Sequence, residues 1–272
     1  MSTGAARVVP LARARHGGWS WLLPGRDMGF ARGLRGVPVE MGELAWAAIA
    51  FPLVLRRARD GALGIEAMLR LGDGPSTPFV GPDGAWRAPC LPRALRHAPF
   101  DTREVGAGRL VLLIDEASPL VRQDRTGQPF FAADGSPDPA LAPVQAGLRA
   151  AMAERAATRA ACLAVEAAGL LRPFGPEGER FVVDADRFAA LDASGVAALH
   201  KSGALLLIHA QILSMGHCDW LRRAEGLSPD MARARAAPER ADRVAGFLSA
   251  LYADQQREET GLHAAANPDD DG

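Results

Sequence analysis

The pattern of apolar side chains changes near Pro139, and this change limits the fold class of the chain. Before Pro139, short apolar stretches alternate with turn sequences that contain Gly and Pro, a pattern typical of β-strands. After Pro139, long stretches of strong helix-forming residues follow. Because strands precede helices and no internal repeat is present, the sequence predicts an α+β fold, with a curved antiparallel sheet in residues 50–135 and a mainly helical region in residues 139–221.

Three segments of the first part have clear patterns. Glu40 and Glu43 precede a short apolar helix that Pro52 ends, and the sequence FPLVL then predicts a strand. Residues 65–71 (IEAMLRL) alternate apolar and polar side chains, as a half-buried strand does. Residues 109–115 (RLVLLID) predict a further strand.

The helical part begins with an Ala-rich stretch in which large apolar residues recur at helical intervals. This pattern predicts either one long helix or a broken pair of helices over residues 140–171. A short strand (FVVDAD) and two helical segments that Gly203 separates follow it.

The two ends of the chain have different patterns. Residues 1–36 are rich in Gly and Arg without periodicity, which predicts an irregular arm. Residues 222–272 predict one amphipathic helix, followed by a disordered acidic tail. The organisation predicted from sequence is therefore an N-terminal arm, an α+β domain over residues 37–221 and a C-terminal extension.

The composition is that of an ordinary globular protein. The chain has 272 residues, of which 48% are apolar and 23% charged, and its net charge is -1. No overall field would recruit nucleic acid or an acidic membrane, so we expect no nucleic-acid partner. The longest apolar run, residues 204–213, is half of the ~20 residues that cross a bilayer, so we expect no membrane span.

The cysteines and the N-terminal residues indicate the cellular compartment. Cys90, Cys162 and Cys218 are too few and too widely spaced for a disulfide framework or a CxxC metal site. The first residues include basic side chains but no apolar run of the ~7–15 residues that a signal peptide needs. We therefore expect a cytoplasmic protein.

Several short motifs occur in a fixed order along the chain. They are FPLVL, LRLG, PFVGPDGAW, CLPRALRHAPF, IDEASPLV, GQPFFAADGSP and LHKSGALLLIHAQILSM. In this order they resemble the SapC family, bacterial proteins of about this length that are named for an association with surface-layer (S-layer) systems. The resemblance covers residues 37–221. It implies a bacterial, surface-layer-associated context and supplies no reaction or set of catalytic residues.

The proline-rich stretch over residues 78–100, PFVGPDGAWRAPCLPRALRHAPF, contains most of the candidate binding residues. If Pro92 opens a helical turn, Arg93 and Arg96 share a face and can bind a carboxylate or a phosphate. Phe79 and Trp86 can form a surface on which a ligand stacks. In the structural alternatives, which the sequence favours, the arginines pair with Asp or Glu and Trp86 fills a corner of the core.

Polar residues elsewhere complete the candidate set. Asp115 follows an apolar strand and can bind a ligand, but its neighbour points to the opposite face, so a strand-end cap is favoured. His209 lies in an apolar helix, where we expect it to be buried and bonded to a backbone carbonyl. Residues 217–219 spell the HxD sequence of iron oxygenases without a suitable third ligand, so we predict no metal site and no cofactor.

These observations predict a non-catalytic bacterial accessory protein that binds a polypeptide, or a segment of a surface or exported protein, in a groove between the two parts of the domain. The candidate binding residues are Glu40, Phe79, Trp86, Arg93, Arg96, Asp115 and His209. One alternative is an enzyme, metal-dependent or not, that acts on an amino acid or a peptide through Glu40, Asp115 and His209, or an inactive descendant of one. Another is an oligomerising structural protein whose interface is the Ala-rich 140–171 helix.

Overall fold

Antiparallel pairing accounts for all the sheets of the protein within the part that the structure describes, which is a computed structural model of residues 7–25, 27–106, 109–176 and 178–226. The strands, in chain order, are Val8–Pro10 (β1), Ser20–Trp21 (β2), Gly36–Val39 (β3), Leu53–Arg57 (β4), Leu63–Met68 (β5), Phe100–Val105 (β6), Arg109–Asp115 (β7), Val121–Arg122 (β8), Gln128–Pro129 (β9), Leu171–Pro173 (β10) and Arg180–Val183 (β11). They form a five-stranded sheet in the order β10-β11-β4-β5-β3 and two three-stranded sheets in the orders β1-β7-β6 and β8-β2-β9.

The α-helices lie mainly in the second half of the chain. They are Arg13–His16 (α1), Leu44–Ala50 (α2), Arg93–Arg96 (α3), Leu141–Ala167 (α4), Ala185–Ala189 (α5), Ala193–Lys201 (α6), Ala204–Ser214 (α7) and His217–Ala224 (α8), and 3₁₀ turns cover Gly29–Ala31 and Met41–Glu43. The Ala-rich stretch is therefore one continuous helix, α4. Helices α6 and α7 are separated by Gly203, whose φ of 75° lies in the left-handed region that favours glycine.

The predicted α+β class is confirmed, but strand partners come from distant parts of the chain. The five-stranded sheet takes β3 from before α2 and takes β10 and β11 from beyond α4. The N-terminal segment also differs from the predicted irregular arm, because β1 pairs with β7 and β2 lies between β8 and β9. A local hydrophobic pattern identifies a strand but does not choose its hydrogen-bonding partner. The C-terminal helix and tail predicted from sequence lie outside the described residues after residue 226.

Helix α4 connects two separate apolar clusters. Its first half contributes Leu141 and Leu148 to a cluster that also contains Trp21 and Phe100, whose ring centroids are 4.8 Å apart. Its second half contributes buried side chains, among them Val165, to the larger cluster beside the five-stranded sheet. With 27 residues, α4 is long enough, at ~1.5 Å per residue, to bridge both clusters.

Strand β5 is buried on both faces, so the half-buried pattern predicted for residues 65–71 is wrong in this respect. Met68, on the face expected to be polar, is only 1% exposed, and Glu66 on the same face is 4% exposed. The Glu66 carboxylate can be buried because Arg56 and Arg180 form ion pairs with it.

No single helix in the described ranges is both long enough and apolar enough to cross a membrane. Helices α6 and α7 meet these two conditions only when they are taken together, and they are bent by 98° relative to each other.

Two buried polar side chains fix α7 to the five-stranded sheet. The side-chain oxygen of Gln211 accepts the Val183 N–H at 3.0 Å, and its amide nitrogen donates to the Leu53 carbonyl at 3.1 Å. The Leu53 N–H donates in turn to Ser214 Oγ at 2.9 Å. These bonds satisfy buried backbone groups at the ends of β4 and β11, so they help to set the position of α7.

Replacement of Gln211 by Ala is expected to destabilise the protein by about 1–3 kcal/mol, because it leaves two buried backbone groups without partners. Urea unfolding measures this change. The control is Gln123→Ala, which removes the same amide group from an exposed position and is expected to change stability little. Equal effects of the two substitutions would contradict the assigned role of Gln211.

Candidate functional site

The proline-rich stretch contains a hydrogen-bonded turn. An isolated antiparallel bridge joins Val80 to Trp86, and the turn between them contains Gly84 with a φ of 80°. The indole N–H of Trp86 donates to the Cys90 carbonyl at 2.8 Å. Pro92 then precedes helix α3, so the predicted helical turn after Pro92 is present.

Four rings from distant parts of the sequence form an aromatic corner, which consists of Phe51, Phe79, Trp86 and Trp220. The Phe79 ring centroid lies 4.8 Å from that of Phe51, 5.9 Å from that of Trp86 and 5.1 Å from that of Trp220. Phe79 is only 3% exposed and Trp86 is half-buried, whereas Trp220 is 44% exposed. Folding thus brings the predicted pair Phe79 and Trp86 together as core residues, and Trp220 is the ring that solvent reaches best.

A charged junction of Glu40, Glu43, Arg93, Glu154 and Arg155 adjoins this corner. Arg93 donates its backbone N–H to Glu43 Oε2 at 2.9 Å, and its Nη1 lies 3.0 Å from Glu154 Oε1. Arg155 Nε lies 3.6 Å from Glu40 Oε1. Two predicted residues, Glu40 and Arg93, are therefore brought into one cluster. In it Arg93 pairs with acids, as the structural alternative proposed.

Burial makes Glu40, which precedes the 3₁₀ turn Met41–Glu43, and Glu43, which ends it, harder to ionise. It raises the pKa of Glu43 above its ordinary value, and the N–H and the charge of Arg93 offset only part of this increase. Burial also raises the pKa of Glu40, although a side-chain hydrogen bond with Thr158 and the charge of Arg155 oppose it. Carboxyl groups with a raised pKa can act as acids or bases. Here each one already has an arginine of the same junction as its partner, which is the pattern of a structural clamp between the turn, α3 and α4.

Arg96 is the exposed arginine of α3. Its Nη2 donates to the Leu91 carbonyl at 3.0 Å, and within the described ranges it forms no ion pair. Its charge reaches the junction, because it lowers the pKa of Glu43 against the effect of burial. Arg96 therefore places a positive charge at the surface beside the corner.

A nonpolar surface lies next to the corner, and sequence patterns did not identify it. This α2–α8 surface consists of Trp46 and Ile49 of α2, Leu213 of α7 and Trp220 of α8, which are 50%, 47%, 77% and 44% exposed. Its helices adjoin one another. His217 Nε2 lies 3.1 Å from the Ala48 carbonyl oxygen, and α2 packs against α7. Four large apolar side chains are thus exposed on helices that pack against one another, which is the arrangement expected of an interaction surface.

One sequence signal could have revealed part of this surface. Leu44 and Ala47 form the buried side of α2, yet the other side of the same helix carries Trp46 and Ile49 instead of polar residues. A helix that is apolar on all sides is fully buried or contacts a partner. The remaining members, Leu213 and Trp220, join α2 only through tertiary packing.

Asp115 lies apart from the aromatic corner. Its Oδ1 accepts the backbone N–H groups of Arg7 at 2.9 Å and of Ala117 at 3.1 Å, so its carboxylate caps the end of β7. Its neighbour Glu116 binds His16, with 2.9 Å between Oε1 and Nε2. Asp115 therefore has the strand-end capping role that the sequence favours.

His209 is exposed on α7, so the prediction that it is buried is wrong. The prediction of a backbone carbonyl as its partner is right, because Nδ1 lies 2.7 Å from the Leu205 carbonyl oxygen of the same helix. Its ring also contacts Phe188 edge-on, with centroids 5.5 Å apart. The face of α7 that carries His209 points away from the sheet, which a locally apolar sequence does not reveal.

The residues of the enzyme alternative remain dispersed. Glu40 lies at the charged junction, Asp115 at the end of β7 and His209 on the exposed face of α7. Across the described ranges, no group of three or more His, Cys, Asp or Glu side chains has a geometry that could hold a metal ion.

Cys90 is half-buried at the edge of the corner, and its Sγ donates to the Trp46 carbonyl at 3.4 Å. Burial, with a further contribution from the charge of Glu43, raises the pKa of the Cys90 thiol to about 11.

We expect iodoacetamide at pH 8 to modify Cys90 at least tenfold more slowly in the folded protein than in urea, because the thiolate is the nucleophile. Mass spectrometry identifies the modified cysteine, and Cys90→Ser is the control. Equal rates in the two states would contradict the burial of this thiol.

The charged junction predicts a pH dependence of stability. Where the pKa of Glu40 and Glu43 in the folded state exceeds that of the unfolded chain, ordinarily 4.5, the folded state binds more protons. The contribution of the two acids to the free energy of unfolding is fully present below about pH 4.5. It is lost as the pH rises through their raised folded-state pKa values. Urea unfolding at pH 4 and at pH 8 measures the free energy of unfolding at each pH. Between these two values, Glu43→Gln should lose less of this free energy, or gain more of it, than the natural protein does. The control is Glu104→Gln, at an exposed position of β6, and the same pH dependence in Glu43→Gln as in the natural protein would contradict the prediction.

Comparison with known proteins identifies the family of the chain. The SapC family model matches residues 11–221, so the match begins closer to the N-terminus than the motif-based limit of residue 37. No curated protein and no solved structure matches the chain. The matched range includes the aromatic corner, the charged junction and Trp220, and because it covers more than half of the sequence, the chain belongs to the SapC family.

Proposed function

We propose that this protein is a non-catalytic accessory protein that binds a polypeptide segment on the α2–α8 surface. The observation that carries the proposal is the exposure of Trp46, Ile49, Leu213 and Trp220 on three adjoining helices. Aromatic side chains contribute a large share of the binding energy in protein interfaces. The proposed contact residues are thus Trp46 and Trp220, whereas the predicted residues Phe79 and Trp86 support them from below.

The framework beneath this surface is ordered, which favours tight binding. Trp220 rests on Phe79, whose ring in turn packs against Phe51. At the other side, the Trp46 carbonyl accepts the Cys90 thiol. A surface whose backbone and rings are already held in place loses less conformational entropy when a ligand binds.

The chemistry of the surface indicates the kind of segment that it accepts. Exposed faces of helices bind amphipathic helices, whose apolar side chains recur every three or four residues. Arg96, Arg222 and Arg223 are exposed on α3 and α8, and Asp219, which pairs with Arg222, is the acid on the exposed side of α8. A partner helix with acidic residues beside its apolar face would complement these charges, and its binding would weaken as salt is added.

The family context suggests where such a partner originates. A cytoplasmic SapC-family protein with this surface would bind a segment of a surface-layer or other exported protein before that protein leaves the cytoplasm. The proposal requires no reaction at the surface, since binding alone would keep an apolar segment from aggregating.

A displayed library of random 16-residue peptides tests the proposal with the full chain as bait. We expect selected peptides to contain apolar residues at helical spacing with acidic neighbours. Their Kd should increase at least about tenfold for Trp46→Ala and for Trp220→Ala, as expected for truncation of interface anchors. The matched control is Leu23→Ala, which removes another exposed apolar side chain, 63% exposed, next to the sheet β8-β2-β9.

Two results would overturn the proposal. One is a selection that yields no peptide whose affinity depends on Trp46 or Trp220. The other is concentration-dependent dimerisation in light scattering that Trp46→Ala or Trp220→Ala abolishes, because the surface would then be an interface between two copies of the chain.

A further inference from the structure

An exposed ridge runs along helix α7 and continues the α2–α8 surface. This α7 ridge consists of Leu206, His209 and Leu213, and its two leucines are 53% and 77% exposed. We infer that the α7 ridge selects one side chain of the bound segment, because His209 accepts a hydrogen bond from a donor that lies between two apolar residues of that segment. The inference rests on the proposed polypeptide binding and specifies which segments the surface prefers.

The three side chains of the α7 ridge lie on the same side of the helix. At about 100° per residue, positions 206, 209 and 213 fall within an arc of about 60°. Leu207 and Gln211, on the opposite side, are buried against the rest of the domain. Leu206 and Leu213 lie about 10 Å apart along the helix axis, so two turns of a second helix can cover both, with His209 between them.

A hydrogen bond within α7 determines what the His209 ring offers to a ligand. Its Nδ1 lies 2.7 Å from the Leu205 carbonyl oxygen, which can only accept, so we assign the hydrogen to Nδ1. In a neutral imidazole the other nitrogen, Nε2, is then an acceptor. Within the described ranges Nε2 has no hydrogen-bond partner. The edge-on contact with Phe188 helps to hold the ring, so His209 presents an acceptor in a defined orientation.

The two leucines make this acceptor selective. A helix that covers Leu206 and Leu213 also removes water from His209 between them. An acceptor that loses water without gaining a donor weakens binding. A segment with an O–H or N–H donor opposite His209 therefore binds more tightly than a segment with an apolar side chain there, although both bury the same leucines.

The spacing of the α7 ridge gives the sequence pattern of the preferred segment. Its two apolar residues lie seven positions apart. In a segment parallel to α7 the donor follows the first of them by three positions, and in an antiparallel segment it follows by four. Ser, Thr, Asn and Gln fit this position because they supply a donor without the cost of burying a charge. The segment is therefore an amphipathic helix with one uncharged polar residue within its apolar face.

A double-mutant cycle with the full chain and the peptides selected by display tests the inference. Each peptide is made with Thr and with Val at the donor position, because these side chains have similar shapes, and fluorescence polarisation at pH 8 measures the two Kd values. For the natural protein the Val peptide should have a Kd about tenfold higher than the Thr peptide, and for His209→Leu the difference should fall below about twofold. Leu206→Ala should increase the Kd of the Thr peptide at least about fivefold.

The matched control is His200→Leu, which removes an exposed histidine from α6 and should preserve the difference between the Thr and Val peptides. The inference is overturned if the natural protein binds both peptides equally, if His209→Leu retains the full difference, or if Leu206→Ala leaves the Kd unchanged. Peptides that still depend on Trp220 would in these cases leave the proposed polypeptide binding intact. A selection without any peptide that depends on Trp46 or Trp220 would instead overturn both, so the two failures are distinguishable.

Discussion

Helix α4 buries one end in each of the two apolar clusters of the protein, and the remaining elements attach along its length. Near its middle, Glu154 binds both Arg93 and the backbone N–H of Gly42, while Thr158 Oγ1 accepts the Met41 N–H at 3.1 Å. These contacts fix the start of α2 and the end of the proline-rich stretch to the same helix. Apolar burial at the two ends of α4 provides most of the stability. The protein can therefore tolerate the partly buried acids Glu40 and Glu43 in the charged junction.

Two parts of the protein are held together by different interactions. The α2–α8 surface has exposed rings over a packed corner, so its free energy of binding would come from apolar burial. The polar cleft over the five-stranded sheet has two guanidinium groups, those of Arg56 and Arg180, around the buried Glu66 carboxylate, so its geometry depends on charge and hydrogen bonds. In both places a buried residue positions a more exposed one. Phe79 supports Trp220, and Glu66 orients Arg56.

The candidate residues show how far sequence reasoning extends toward a site. The proline-rich and aromatic sequence around Arg93 and Trp86 favours structural roles for both residues, and the structure shows these roles. Arg93 pairs with Glu154, and the Trp86 indole N–H donates to the Cys90 carbonyl. The exposure of His209 and the burial of Glu66 could not be predicted. Both depend on which face of an element meets another layer. The cleft was also missed, because the opposition of Arg56 and Arg180 requires the pairing of strands that lie far apart in the chain.

The sequence by itself determined the α+β class, the helical turn after Pro92, α2 before Pro52 and the break between α6 and α7 at Gly203. These features depend on backbone propensity and on periodicity within a few residues of one another. Only the tertiary structure decided that α4 is continuous across two clusters, that strands from both sides of it join one sheet, and that Trp46 and Trp220 lie on adjoining helices. These features depend on contacts between segments that are distant in the sequence. The free energies of such contacts cannot be derived from the local sequence pattern.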